Sequence, residues 1–118
     1  MSLYQKNLGK LGEQKGLLFL KNQGFYIVKK NFHTPLGEID IIAKKDKTLY
    51  FIEVKTRSNL KKGYPYEAVN KIKLSHLKKA AQYFLLKFSF KDYKMKIGVI
   101  SILLENDNEV INFYDDLM

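Results

Sequence analysis

The chain has 118 residues and no cysteine, and 46% of its residues are hydrophobic. These values fit a single domain spanning residues 1–118, and they exclude a mainly disordered chain, disulfide bonds and zinc sites built on thiolates. With 21 Lys and Arg against 12 Asp and Glu, the formal net charge is +9, which favours polyanionic partners: nucleic acid first, an anionic membrane surface second.

No stretch of the sequence predicts a membrane segment or an export signal. Residues 1–6 do not resemble the start of a signal peptide, because no apolar core follows a basic end. The longest apolar run, residues 97–104, contains a glycine and a serine and is too short to cross a bilayer. We therefore expect a cytoplasmic protein without a membrane partner.

A helix is predicted over residues 3–22, where leucines recur at helical spacing. Gly9, Gly12 and Gly16 fall on one side of this helix, and Glu13 lies beside them. Glycines on one face permit close packing against a sheet. They would also leave Glu13 unobstructed above a site, and the two interpretations are compatible.

Three strands are predicted after Gly24, a residue suited to the left-handed position that ends a helix. The first strand covers residues 25–28 and could extend further. A turn over residues 34–37 precedes the second strand at residues 37–42, and the third strand covers residues 49–57. The apolar side chains of the last two strands predict a sheet interior, yet charged residues interrupt both of them.

These charged residues are predicted to face each other across a hairpin whose two-residue loop is residues 46–47. Antiparallel pairing then places Asp40 opposite Glu53. Two residues further from the loop, it places Glu38 opposite Lys55 on the same face. Opposed carboxylates repel, and a divalent cation between them would reverse that effect. Carboxylate oxygens with water suit Mg²⁺ or Mn²⁺, and a nearby lysine could orient a water molecule or offset charge on a phosphate.

A basic loop, a second helix and two strands complete the predicted order. The loop over residues 58–65 leaves directly from the acidic strand, so it could contact a phosphate backbone. The helix is predicted over residues 65–87, and strands over residues 95–104 and 109–113. The order α-β-β-β-α-β-β predicts an α/β fold in which helices flank a mixed β-sheet. The buried stripe of the second helix is expected to comprise Val69, Ile72, Leu77, Ala80, Ala81 and Phe84.

The charged residues on these elements resemble the motif of the PD-(D/E)xK nuclease superfamily: Glu13, then Asp40, then Glu53-Val54-Lys55. The chain more closely resembles the YraN family of small bacterial proteins, which are similar to archaeal Holliday-junction resolvases. The joined pattern that carries this resemblance is Gly37-Glu38-Ile39-Asp40 followed by Phe51-Ile52-Glu53-Val54-Lys55-Thr56-Arg57. Further matching positions are Gly12, Gly24, Phe25, Asn31, Lys73, Ala80 and Tyr83. The chain departs from the expected pattern at Lys96-Ile97-Gly98, where an aspartate would be expected.

The resemblance implies a restriction-endonuclease-like fold and a divalent-metal-dependent endonuclease acting on DNA, including branched or structured DNA. It implies Mg²⁺ or Mn²⁺ as the cofactor, with four groups as metal ligands: Asp40, Glu53, the carbonyl of Val54, and Glu13. Lys55 would position the attacking water or offset charge in the transition state, so the implied catalytic residues are Glu13, Asp40, Glu53 and Lys55.

Five further residues are assigned to nucleic-acid binding or to an auxiliary polar role: Arg57, Lys61, Lys62, Lys73 and Gln82. A resolvase-like enzyme would need a homodimer to cut two strands symmetrically. Two other functions stay open at this point. One is a nucleic-acid-binding module of the same fold that cleaves nothing, in DNA repair, recombination or uptake. The other is a protein-interaction or membrane-surface domain that uses the basic second helix.

Each charged residue also has a structural interpretation when taken alone. Glu53 and Lys55 could form a surface ion pair worth about 0–1 kcal/mol, and Glu38 could neutralise Lys55 without any chemistry. Asp40 could pair with a nearby basic side chain, and Glu13 could be an ordinary helix acid. The joint placement of these residues favours the metal site.

Overall fold

The structure is a computed structural model that describes residues 2–117, and its elements follow the predicted order. Within these residues lie two α-helices, one 3-10 helix and five β-strands. Their bounds in chain order are α1 (Leu3–Asn22), β1 (Tyr26–Thr34), β2 (Gly37–Lys45), β3 (Thr48–Arg57), the 3-10 helix (Pro65–Ala68), α2 (Lys71–Lys87), β4 (Lys94–Glu105) and β5 (Asn108–Tyr114).

The five strands form one sheet in the order β1-β2-β3-β4-β5. β3 and β4 run parallel, whereas the other neighbouring pairs are antiparallel. Parallel neighbours need a long crossover connection, and the segment that carries α2 supplies it. The predicted α/β class and mixed sheet are therefore confirmed. β4 lies inside the sheet, between β3 and β5, in keeping with its nearly continuous apolar sequence.

The two α-helices cover opposite faces of the sheet. Leu20 of α1 belongs to a buried cluster with Ile52 of β3, whereas Phe84 of α2 belongs to a second cluster with Phe51. Since neighbouring residues of a strand point to opposite faces, the two clusters lie on opposite sides of the sheet. Among the helices of residues 2–117, none combines the length and apolar character needed to cross a membrane.

Local sequence signals delimit α1 and the β2–β3 hairpin as predicted. Ser2 caps α1, because its hydroxyl oxygen accepts a hydrogen bond of 3.1 Å from the backbone N–H of Gln5. Asp46 and Lys47 have φ angles of 51° and 61°, which is the left-handed geometry of a two-residue hairpin turn. The predicted loop over residues 46–47 is therefore confirmed.

The prediction of one helix over residues 65–87 is wrong. The 3-10 helix at Pro65–Ala68 is followed by two extended residues, and α2 begins only at Lys71. The cause is Asn70, whose side-chain oxygen accepts a hydrogen bond of 2.9 Å from the backbone N–H of Lys73. An asparagine used in this way favours an extended backbone and starts a new helix.

The buried stripe predicted for the second helix is confirmed at four of its six residues. Ile72, by contrast, is 67% exposed. It lies roughly 140° around α2 from Leu77, which is buried, so the same helix face cannot bury both. Val69 lies before α2 and is partly buried. The four confirmed residues are Leu77, Ala80, Ala81 and Phe84.

Gly12 allows α1 to approach β3 closely. A Cβ atom added at Gly12 would lie 1.8 Å from Oγ1 of Thr56, whereas one added at Gly16 would lie 3.5 Å from Cγ2 of Val54, an ordinary contact. Close packing against the sheet was one of the two interpretations of the glycine face. This packing places the next residue, Glu13, beside the end of β3.

We predict opposite effects for two alanine substitutions in α1. Gly12→Ala should lower the free energy of unfolding by about 1–3 kcal/mol, because the branched side chain of Thr56 cannot move far enough to make room. Gly9→Ala is the matched control: no atom lies within 4 Å of the added Cβ, so higher helix propensity should raise stability by up to about 1 kcal/mol. Urea unfolding measures both, and a Gly12→Ala variant as stable as Gly9→Ala would contradict the close approach.

Candidate functional site

The site begins where the pairing of β2 with β3 ends. The backbone register runs from Lys45 opposite Thr48 to Ile41 opposite Ile52, and no further. Beyond it, the backbone N–H of Val54 donates a hydrogen bond of 2.8 Å to Oδ2 of Asp40. A side-chain carboxylate therefore replaces the backbone acceptor that a continued ladder would supply.

This geometry corrects the predicted register at its far end. Asp40 and Glu53 are not a paired position of the ladder, nor are Glu38 and Lys55. Glu38 instead lies opposite His33 of β1, with Oε2 located 3.3 Å from Nδ1 of that histidine. The prediction failed because a continuous ladder was assumed, whereas the strands separate once Asp40 takes the N–H of Val54.

The alternation of side chains along β2 also changes at Asp40. Ile39 packs in the cluster beneath α2, whereas Ile41 packs in the cluster beneath α1. In a regular strand, residues two apart share a face. The strand therefore turns at Asp40, which lies partly buried between the two layers.

Burial and neighbouring negative charge disfavour ionisation of the Asp40 carboxyl group. The pKa of Asp40 is raised to about 7, mainly by burial and next by the negative charge of Glu53. The hydrogen bond from Val54 lowers the pKa, while the charges of Glu13 and Glu38 raise it by smaller amounts. Four carboxylates thus act on one another here, and a cation would relieve the repulsion.

Glu53 is the other largely buried carboxylate, and two lysines reach it. Its Oε1 atom lies 3.6 Å from Nζ of Lys55 and 3.4 Å from Nζ of Lys73. Glu53 is only 12% exposed, whereas Lys73 is 46% exposed at the start of α2. The predicted metal-ligating glutamate, the predicted catalytic lysine and one predicted auxiliary lysine therefore lie together.

Glu13 joins the site from α1, held by a residue of β1. With the Asn31 amide oriented so that its nitrogen faces the carboxylates, that nitrogen lies 2.9 Å from Oε1 of Glu13 and 3.0 Å from Oε1 of Glu38. Burial raises the pKa of Glu13, and the charges of Glu38 and Glu53 add to this, while the hydrogen bond from Asn31 opposes it.

A groove of about 810 Å³ opens beside these residues, between the first half of α1 and the end of β3. Glu13, Val54 and Lys55 form part of its wall. The basic loop that follows β3 forms the opposite side. The cationic lining of the groove comprises Lys55 and Arg57 of β3 together with Lys61 and Lys62 of the loop.

Gln82 is the one assigned residue whose position argues against its role. It is exposed on α2, about half a turn around the helix from Lys73 and about 13 Å further along its axis. The helix that brings Lys73 to Glu53 therefore carries Gln82 away from it.

Asp40 and Glu53 are the residues that could hold a divalent cation. In the range 2–117, no three His, Cys, Asp or Glu side chains converge closely enough to hold a metal ion by themselves. Mg²⁺ commonly uses one or two carboxylates and fills its remaining positions with water. The donor chemistry of two repelling carboxylates fits such an ion, with the carbonyl of Val54 as a predicted additional ligand. Glu13 was also predicted as a ligand, but within residues 2–117 it does not converge with Asp40 and Glu53 into a three-carboxylate metal site.

Sequence reasoning gave Asn31 no role, yet it connects α1 to β2 through two carboxylates. The sequence feature that could have indicated a role for Asn31 was its residue type, because asparagine is uncommon within strands and tolerates the left-handed backbone conformation. Its φ angle is 48°. Nothing in the linear sequence showed that its amide would face two acids from different elements.

A family model described as "Uncharacterised protein family UPF0102" matches residues 12–102, a range that contains every site residue discussed above. Similar proteins cover nearly the whole chain. The "UPF0102 protein" of Caldicellulosiruptor bescii is 45% identical over 114 residues, which is 94% of this chain and 96% of that protein.

Two further relatives match this chain over a similar length. The "UPF0102 protein" of Caldicellulosiruptor saccharolyticus is 43% identical over 108 residues, which is 92% of each chain. The "UPF0102 protein" of Dictyoglomus thermophilum is 42% identical over 108 residues, again 92% of each chain. The similarity therefore extends over both helices and the sheet.

The raised pKa of Asp40 predicts a pH-dependent stability. As the pH rises from 3.8, the ordinary value, towards about 7, the unfolded chain releases the proton of Asp40 while the folded protein retains it, so the folded state loses relative stability. Asp40→Asn keeps an acceptor for Val54 and removes the charge. In EDTA, this variant should exceed the wild type in unfolding free energy at pH 8 by on the order of 2 kcal/mol, and much less at pH 5.

Thermal and urea unfolding at both pH values measure this difference. Asp107→Asn is the matched control, because it makes the same chemical change at an exposed turn residue. If Asp40→Asn exceeds the wild type in unfolding free energy by the same amount at pH 5 and pH 8, burial and Glu53 do not raise the pKa of Asp40.

Proposed function

The chain belongs to the family UPF0102, and from that premise and the geometry of its site we propose that it is a divalent-metal-dependent endonuclease acting on DNA, including branched or structured DNA. One observation carries the proposal. Asp40 is a partly buried carboxylate at the end of a strand ladder, its pKa is raised to about 7 by burial and by Glu53, and no lysine contributes to that shift. A carboxylate that is removed from water and lies near another negative charge is stabilised when a cation binds to it.

The proposed reaction is hydrolysis of a phosphodiester bond at this site. A bound Mg²⁺ or Mn²⁺ would supply positive charge that polarises a water molecule and offsets charge developing on the phosphate. Asp40 and Glu53 hold that cation. Lys55, whose amine lies 3.6 Å from Oε1 of Glu53, orients the attacking water or donates to the phosphate.

The groove supports DNA as the substrate. Its wall joins one acidic residue, Glu13, to the cationic side chains, so a phosphate backbone lying in it would pass beside the end of β3, the strand that carries Glu53. The formal net charge of +9 favours the same class of partner. Arg57, Lys61 and Lys62 contact phosphates in this proposal and do no chemistry.

A non-catalytic nucleic-acid-binding module is the second candidate, and one observation favours it. Lys55 and Lys73 both lie within 3.6 Å of Glu53, so two ammonium groups could neutralise that carboxylate without a metal ion. Such a protein would use the same groove. It would bind DNA in a strongly salt-dependent manner and cleave nothing.

We predict metal-dependent cleavage that requires the site carboxylates. With Mn²⁺ or Mg²⁺ and branched, linear and single-stranded DNA, the wild type should cut at least one substrate and be inactive in EDTA. Asp40→Asn and Glu53→Gln should each lose more than about 100-fold in rate, because they remove proposed metal ligands and not merely their supports. Lys55→Ala should lose about 100-fold or more while DNA binding persists.

Asp107→Asn, purified identically, controls for contaminating nucleases and should keep the wild-type rate. Cleavage retained in both Asp40→Asn and Glu53→Gln would assign the activity to another protein or site. DNA binding without cleavage under any divalent ion would favour the second candidate.

The lysines of the basic loop should contribute to DNA affinity by neutralising phosphates. The double variant Lys61→Ala and Lys62→Ala should weaken binding of all sequences similarly, and should reduce the slope of log K against log salt by about 2, roughly one per lysine. The matched control replaces Lys78 and Lys79, two exposed lysines of α2 on the other face of the sheet. Fluorescence anisotropy at several salt concentrations measures both; equal losses in the two variants would remove the groove as the binding surface.

A further inference from the structure

Asn31 has a backbone conformation that strands rarely contain. Its φ angle of 48° is left-handed, and β1 contains an irregularity in its pairing with β2 between Ile27 and Lys29, a few residues earlier. Bulges and left-handed residues re-aim side chains, and asparagine is among the few residues that adopt this conformation at low cost. The conformation directs the Asn31 amide to α1 on one side and β2 on the other.

The two contacts of that amide come from different elements. Its nitrogen lies 2.9 Å from Oε1 of Glu13 and 3.0 Å from Oε1 of Glu38. A primary amide has two N–H groups, so it can donate one hydrogen bond to each carboxylate. No secondary-structure pairing would bring these two acids together, and their charges repel.

We propose that Asn31 is a positioning residue, whose amide holds Glu13 of α1 against Glu38 of β2 and thereby keeps the negative charge of Glu13 near Asp40, where it favours a divalent cation held by Asp40 and Glu53. The cation part of this inference rests on the proposed function. The contact between Asn31 and Glu13 stands independently of it.

An amide suits this role better than a cationic side chain. Lysine or arginine between the two acids would neutralise them, and their negative charge would no longer be available to a metal ion. Asn31 donates hydrogen bonds without adding charge, so it can hold both carboxylates in place without neutralising them. Glu13 also lines the open groove, so without the amide its side chain would be free to rotate into solvent and away from Glu38.

Asn31→Gly tests the role of the amide separately from the backbone. Glycine accepts a positive φ without strain, so the variant removes only the side chain. Asn106→Gly is the matched control, because Asn106 has a φ angle of 50° and lies in the turn between β4 and β5. Calorimetric titration with Mn²⁺ should show affinity weakened by about 10-fold in Asn31→Gly and unchanged in Asn106→Gly, as expected for loss of a group that supports a metal site from outside its ligands.

A double-mutant cycle tests whether Asn31 acts through Glu13. In a Glu13→Gln background, Asn31→Gly should cause little further loss of Mn²⁺ affinity, because the carboxylate that it orients is already gone. Full additivity of the two losses, or wild-type affinity in Asn31→Gly, would overturn the proposal. A merely structural role would lower the unfolding midpoint and leave Mn²⁺ affinity unchanged.

Urea unfolding in EDTA separates this inference from the proposed function. It uses the four proteins of the cycle: the wild type, Asn31→Gly, Glu13→Gln and the double variant. The contact predicts non-additive shifts of the unfolding midpoint, and additive shifts would show that Asn31 does not hold Glu13. A wild type that binds no Mn²⁺ would overturn both the proposed function and the cation part of this inference. Non-additive shifts in EDTA would in that case still support the contact itself.

Discussion

Repulsion among carboxylates at the end of the β2–β3 ladder is the constraint on which the account of this site depends. Asp40 lies where burial and the charge of Glu53 oppose its ionisation, and Glu13 and Glu38 add to that field. The fold keeps these acids close, although separating them would relieve the repulsion. Neutral donors hold three of them: the N–H of Val54 on Asp40 and the amide of Asn31 on Glu13 and Glu38. Lys55 and Lys73 reach the fourth, Glu53. This is the repulsion that the proposed cation would offset.

The rest of the fold supplies the means of bringing these groups together. Gly12 allows α1 to lie against Thr56, and the next residue of the helix, Glu13, then reaches the strand ends. Asn70 delays the start of α2 until Lys71, so that Lys73 in its first turn reaches Glu53 from the opposite layer. The basic loop after β3 begins beside the carboxylates because β3 itself carries Glu53 and Lys55. The residues of the proposed chemistry and those of the proposed DNA contact therefore lie on adjoining segments.

Much of this fold follows from sequence patterns, because hydrophobic period, glycine and turn residues act locally. The order of elements, the start of α1 and the hairpin turn at residues 46–47 were predicted in this way and are confirmed. Predictions failed where one side chain overrode a regular pattern. Asn70 interrupted a helix, and Asp40 ended a ladder by accepting the N–H of Val54. The bridge made by Asn31 joins residues distant in sequence, so no local pattern could reveal it.

The central claim is that Asp40 and Glu53 share a divalent cation. The most direct measurement is an anomalous difference map from crystals of the protein grown or soaked with Mn²⁺ near pH 8. We predict a peak within coordination distance of both carboxylates. A map without a peak at this position, with Glu53 still paired to Lys55 and Lys73, would contradict it.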